Sequence, residues 1–150
     1  MMARVAACVF CEIVAGRVPA ARVYEDAGCV AFLDHRPLRP GHVLVVPRSH
    51  WLTLGDVPAD QVGPLFGAVQ RLALAVEQAC AADGSFVAIN IKVSQSVPHL
   101  HVHVVPRQTG DGLFGRTFQW IRRPYPNAAA MAAVQQAIQA AVAAARPAPS

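Results

Sequence analysis

The stretch His99-Leu-His-Val-His-Val-Val-Pro106 constrains the fold more than any other part of the chain. Its residue types alternate with a period of two, the period of a pleated strand and not the 3.6 of a helix. A strand over 99–105 puts His99, His101 and His103 on one face and Leu100, Val102 and Val104 on the other. The chain must therefore supply a sheet with an apolar face covered by other elements, and a second face on which three of its six histidines stand in a row.

The flanking sequence supplies those elements. Residues 8–14 read as a short turn of helix, closed by Gly16 to Pro19. Arg22 to Asp26 and Cys29 to Asp34 are short and apolar-rich, with Gly28 between them, which predicts a β-hairpin. A third strand, His42 to Pro47, follows the loop 36–41. Asp56 as N-cap, with Pro58 in the first turn, starts a long helix to about Cys80. Within it Val62, Leu65, Phe66, Val69, Leu72 and Val76 form one apolar stripe. Ser85 to Ile91 and His99 to Val105 are the last strands, around a polar loop at 92–98. Residues 110–125 are aromatic and basic without periodicity. Asn127 caps an Ala-rich helix to about Ala145, and residues 146–150 read as a frayed tail. Strands, a long helix, more strands and a final helix fit an α+β domain, with helices on an antiparallel sheet, better than βαβ units. The expected domain is a single one over 1–145.

Composition removes several function classes. Hydrophobic residues make up 54% of the chain, yet apolar runs break before the roughly 18–20 residues that a membrane helix needs. Glu12 interrupts the apolar N-terminal stretch, which lacks the pattern of a signal peptide, so the expected compartment is the cytoplasm. There the four cysteines read as thiols or metal ligands, not as a disulfide framework. The net charge of +4 favours anionic ligands, but Arg122-Arg123 is the only adjacent basic pair, so no specific nucleic-acid binding is expected.

Two chemistries suit three imidazoles in a row. They can ligate a catalytic metal with an open coordination position. Alternatively, one neutral imidazole attacks phosphorus while its neighbours donate hydrogen bonds to the phosphate oxygens. In the second case the central His101 is best placed, provided a backbone carbonyl holds its rear nitrogen. His103, Gln95 and Ser96 would then meet the charge that develops on phosphate. Elsewhere, Trp51, Trp120 and Tyr125 are packing residues or base-stacking platforms, and Arg122 and Arg123 are a solvated loop or phosphate-steering groups. Cys29 and Cys80 lie in apolar contexts and read as core.

Cys8-Val-Phe-Cys-Glu-Ile-Val-Ala-Gly, Val23-Tyr-Glu-Asp, Ala31-Phe-Leu-Asp and Pro40-Gly-His-Val-Leu-Val-Val-Pro-Arg-Ser-His50 precede Gln95-Ser-Val and the His99 strand in order. Over residues 8–107 these blocks resemble the histidine-triad (HIT) superfamily, in its nucleotide-binding and dinucleoside-polyphosphate-hydrolase branches. The resemblance implies a five-stranded antiparallel sheet with a long helix, paired as a two-fold homodimer. It makes His101 the nucleophile toward the α-phosphate of a nucleotide, such as an AMP conjugate, with a nucleotidyl-histidine intermediate and no organic cofactor. It puts His103 and His42 at the phosphate, and Gln95 and Ser96 on the phosphate or leaving group. Asp34 would face the ribose hydroxyls, Phe10, Ile13, Phe32 and Leu33 would wall the base, and Asn90 would stand on the phosphate side. A non-catalytic nucleotide- or partner-binding dimer is the alternative.

Cys8 and Cys11 form a C-x-x-C pair, with His50 and His99 as candidates to complete a tetrahedral site. Two half-buried thiols that merely pack are the other reading, and the sequence lacks the βαβ setting of a redox motif. The resemblance favours a structural zinc on Cys8, Cys11, His50 and His99.

Overall fold

The computed structural model describes residues 7–116 and 120–145; the expected tail at 146–150 lies outside them. In chain order the elements are α1 (Val9–Val14), β1 (Arg22–Glu25), β2 (Cys29–Leu33), β3 (Val43–Pro47), a 3-10 turn (Leu54–Asp56), α2 (Ala59–Ala79), β4 (Gly84–Ala88), β5 (Val102–Arg107) and α3 (Ala128–Ala144). The strands form one five-stranded sheet in the order β1-β2-β3-β5-β4, and every neighbouring pair is antiparallel. This is the α+β architecture expected from the sequence.

Side-chain alternation gives the sheet two different faces. Ala31, Leu33, Val43, Val45, Leu100, Val102 and Val104 pack with Leu65, Val69, Leu72 and Val76 of α2 and Ile138 of α3. Each fully buried Val or Leu of this layer contributes about 1.5–3 kcal/mol of transfer free energy. α3 is tied to β1 by Gln135 and Gln139, whose side-chain amides both donate to the Arg22 carbonyl, at 2.9 and 2.8 Å. On the opposite face Val30, Phe32, Leu44 and Val46 meet Phe10 and Ile13 of α1. Because both faces are covered, β2 and β3 are buried at every residue, where a strand with one wet face would alternate.

Three boundaries differ from the sequence expectation. Asp56 does not cap α2: its carboxylate accepts from the Thr53 N–H and hydroxyl, both at 2.9 Å, and so closes the 3-10 turn. Pro58 takes the N-cap position instead. The last strand begins at Val102 and not at His99, because the chain before it leaves the ladder: β3 pairs with β5 only from Val43↔Val104 to Val45↔Val102, although β3 itself continues to Pro47. Beyond that point the Leu100 N–H turns to the Trp51 carbonyl at 2.7 Å. β4 likewise stops at Ala88, short of Ile91.

Gly41, two residues before β3, has φ +98°, and a Cβ there would lie 2.5 Å from Cys80 Sγ and 3.1 Å from Pro106 Cγ. Its N–H donates to the Tyr125 hydroxyl at 2.8 Å. Left-handed strain and overpacking together predict that Gly41→Ala lowers unfolding free energy by about 2–4 kcal/mol. Urea denaturation of the variant against wild type measures this, and an unchanged midpoint would contradict the packing described.

Candidate active site

The carbonyl, amide and imidazole groups around the three histidines leave little choice of tautomer. His101 Nδ1 lies 2.8 Å from the His99 carbonyl oxygen. A carbonyl can only accept, so Nδ1 carries the proton and donates it, which leaves Nε2 bare. The opposite assignment follows for its neighbour. The Leu38 N–H donates to His42 Nδ1 at 3.1 Å, so the His42 proton is on Nε2. That Nε2–H lies 2.9 Å from His103 Nδ1 and donates to it, which puts the His103 proton on Nε2. His103 Nε2 is buried and has no hydrogen-bond partner among the described residues. Two adjacent rings, 4.9 Å apart between centroids, thus present a lone pair and an N–H side by side.

Burial keeps these rings neutral. It lowers the pKa of His42 to about 4 against the raising influence of Asp34, and lowers that of His103 to about 3, helped by His42, His101 and Arg122. His101 is also lowered by burial, opposed by its bond to the His99 carbonyl and by Asp34. Phe10 packs edge-on against His101 with centroids 5.1 Å apart, which fixes the ring plane from the α1 side.

The histidines open into a cavity of about 570 Å³ lined by Phe10, Ile13, Phe32, Leu33, Asp34, Ser96, His101 and His103, together with Arg122 and Met131. Eight of the residues singled out from sequence therefore meet in one place. His42 stands behind His103 and does not line the cavity, and neither do Asn90 and Gln95. The Gln95 side chain is engaged elsewhere: its Nε2 donates to the Leu52 carbonyl at 2.6 Å and its Oε1 accepts from the Lys92 N–H at 2.9 Å. It braces a loop in which Lys92 and Ser94 both adopt positive φ, 66° and 59°. Asp34 is 7% exposed; its Oδ1 accepts from the Arg36 N–H at 2.9 Å and its Oδ2 from Arg122 Nη1 at 3.2 Å. The sequence reading left Arg122, with Arg123, as part of a solvated loop or as a phosphate-steering group. Nothing in the spacing signalled that it reaches a carboxylate 88 positions earlier.

A second cluster lies on the other side of His99. Cys8, Cys11, His50 and His99 offer four ligand atoms within 4.8 Å of one another. His99 Nε2 donates to the Pro47 carbonyl at 2.8 Å, so its Nδ1 keeps a lone pair, and this nitrogen faces Cys8 Sγ at 3.4 Å and Cys11 Sγ at 3.6 Å. His50 Nδ1 lies 3.1 Å from Cys11 Sγ. Burial and the neighbouring Cys8 raise the Cys11 pKa, a cost that a cation would reverse. The donor set, two sulfurs and two imidazole nitrogens, is one that suits a closed tetrahedral metal site. Asp34, His42 and His103 are equally close together, but two of their nitrogens are joined to each other, so a metal there would have to break the His42–His103 bond. Cys29 is core as expected, its thiol pushed up to about 12 by burial, whereas Cys80 is partly buried at the C-cap of α2.

Comparison with known proteins agrees with this geometry. A family model, the HIT domain, matches residues 15–110. A HIT-like protein of Mycobacterium tuberculosis, itself uncharacterised, is 42% identical over 118 residues, which is 77% of this chain and 82% of that one. The adenosine 5'-monophosphoramidase of Candida albicans is 30% identical over 113 residues, 71% of this chain and 74% of that one. The crystal structure of a zinc-bound histidine triad family protein from Mycobacterium smegmatis superposes with a TM-score of 0.79 at 39% identity, covering 91% of this chain and 94% of that chain. With the family model spanning more than half of its length, and with the alternating histidines in place, this chain belongs to the histidine-triad (HIT) family.

Proposed function

We propose that the protein hydrolyses nucleotide conjugates at the α-phosphate through a nucleotidyl-His101 intermediate. The observation that carries this reading is the complementary pair of tautomers: a bare His101 Nε2 beside a protonated, otherwise unpartnered His103 Nε2. A nucleophile and a hydrogen-bond donor at adjacent positions suit a phosphoryl group, whose phosphorus takes the attack while its oxygen gathers charge. The similarity to an adenosine monophosphoramidase supports the same class, with a purine in the apolar end of the cavity.

In the first step the His101 lone pair forms a P–N bond as the bond to the leaving group breaks. The leaving group departs with that electron pair and takes up a proton from solvent, which the attacking water of the second step gives back. The His101 Nδ1–H stays on the His99 carbonyl and disperses the positive charge that the ring acquires. His103 Nε2–H donates to a phosphate oxygen, its proton already held on that nitrogen through Leu38 and His42. Ser96 is assigned to the departing group. Asp34, an acceptor only, is assigned to the ribose hydroxyls, and Phe10, Ile13, Phe32 and Leu33 to the base. In the second step water attacks phosphorus, the P–N bond breaks, and His101 recovers its lone pair as the nucleotide leaves. Gln95 acts here through the loop it braces, and Asn90 has no direct part.

The Cys8, Cys11, His50 and His99 cluster is assigned to zinc, in keeping with the zinc-bound histidine triad structure that this chain resembles. Zinc would supply charge and four fixed bonds but no reaction step, since four protein ligands leave no open position. The cytoplasm, where thiols stay reduced, is the compartment this site suits. Pairing into a two-fold homodimer is assigned to the β4 edge of the sheet, where Val87, Ile91 and Val93 are exposed.

His101→Gly is expected to cut turnover of a fluorogenic adenosine phosphoramidate by at least about 10⁴-fold while AMP still binds. Steady-state kinetics with calorimetric titration measures both, and wild-type turnover by the variant would overturn the mechanism. Native mass spectrometry of the wild type is expected to give a dimer with stoichiometric zinc, and Cys8→Ser is expected to lose the metal. A metal-free wild type contradicts the zinc assignment, metal retained by Cys8→Ser contradicts the ligand set, and a monomer contradicts the pairing.

A further inference from the structure

The guanidinium of Arg122 bonds the carboxylate to which the reading above assigns the ribose. Asp34 is a nearly buried carboxylate that opens into the cavity, and a carboxylate accepts hydrogen bonds without giving any. Any ligand held by it must bring donors, as the adjacent hydroxyls of a ribose do. One of its oxygens is already bonded to the Arg36 amide and the other to Arg122 Nη1 at 3.2 Å. Arg122 also donates to the Arg36 carbonyl. Each oxygen keeps a further lone pair, but Asp34 is nearly buried and Arg122 lines the same cavity, so a ribose that approaches Oδ2 from that side competes with Arg122 for the space.

The displaced cation has somewhere to go. The backbone around it is held independently of Asp34: the Arg123 N–H donates to the Pro37 carbonyl at 2.7 Å, and the Tyr125 hydroxyl accepts from the Gly41 N–H at 2.8 Å. The Arg122 side chain is 31% exposed and lines the same cavity as His101 and His103. Two residues earlier, Trp120 packs on the His103 ring with centroids 5.1 Å apart. Two residues of chain span at most about 7 Å, a distance that an arginine side chain covers, so the segment runs from the phosphate end of the cavity to Asp34. The field of the cation already reaches that end, where it adds to burial in opposing protonation of His42 and His103.

We propose that Arg122 exchanges partners on ligand binding: the ribose hydroxyls take Asp34, and the released guanidinium pairs with the phosphate. The exchange rests on the nucleotide reading above and deepens it. It makes occupation of the ribose subsite the condition for full positive charge at the phosphate. Ribonucleotides are thereby preferred over nucleotides lacking the sugar hydroxyls, and over free phosphate.

Calorimetric titration of the wild type with inorganic phosphate, with and without saturating adenosine, tests the coupling without any variant. Adenosine is expected to tighten phosphate binding by about fivefold or more. Saturating 2',3'-dideoxyadenosine is expected to leave it unchanged. In Arg122→Gln the coupling should vanish, adenosine should bind more tightly than to wild type, and AMP should bind about tenfold more weakly, the loss of one charge-assisted contact. An adenosine effect that is absent or negative in the wild type overturns the exchange. Equal weakening of adenosine and AMP in Arg122→Gln overturns it as well, since that is the mark of an arginine that only pins the segment. AMP binding without coupling removes the exchange alone, whereas a wild type that binds neither adenosine nor AMP removes the nucleotide reading too.

Discussion

The hydrogen bond from His101 Nδ1 to the His99 carbonyl is the interaction on which the rest of the site depends. Without it the ring could carry its proton on either nitrogen, and the lone pair would face the cavity only part of the time. The bond exists because the chain between Pro98 and Val102 has left the β3 ladder, which frees the His99 carbonyl to turn toward a side chain. A strand paired regularly from His99 onward would have had that carbonyl available to its neighbour. The early end of the ladder is thus part of how the site is made.

A second chain of hydrogen bonds sets the opposite tautomer one step along the strand. It starts at the Leu38 amide, passes through His42 and ends at His103. Leu38 itself is fully buried with Val105 and Leu113, so the loop that donates this proton is anchored in its own small apolar cluster. His99 ties the His101 arrangement to the cysteines, since its carbonyl orients His101 while its ring bonds Pro47 and turns Nδ1 to the two sulfurs. One residue consequently links the strand end, the nucleophile and the metal cluster.

Much of this was legible in the sequence, for reasons that can be named. The alternation at 99–105 fixes which residues face the core, because a period of two permits no other assignment, and Leu100, Val102 and Val104 are fully buried in the α2 layer. The C-x-x-C pair and its two histidines come together as their chemistry suggested. Asp56 misled because a good N-cap residue is also a good turn residue, and Thr53 three positions earlier completes a turn with it. The direction of the Gln95 amide was not legible, because a loop position near Ser96 says nothing of where it points. The tautomers of His42 and His103 were out of reach, since they are decided by a backbone amide and a ring 61 positions apart from its partner, whereas the carbonyl behind His101 was anticipated. Arg122 and Asp34 are likewise joined only by the folded chain.

The central claim is a statement about where two protons sit, so the most direct test observes those protons. Nitrogen-15 NMR of the imidazoles at neutral pH, assigned through single His→Gln variants, distinguishes bare from protonated ring nitrogens. The structure predicts a bare Nε2 with a protonated Nδ1 on His101, and the reverse on both His42 and His103. A protonated Nε2 on His101, or a bare Nε2 on His103, would contradict the account.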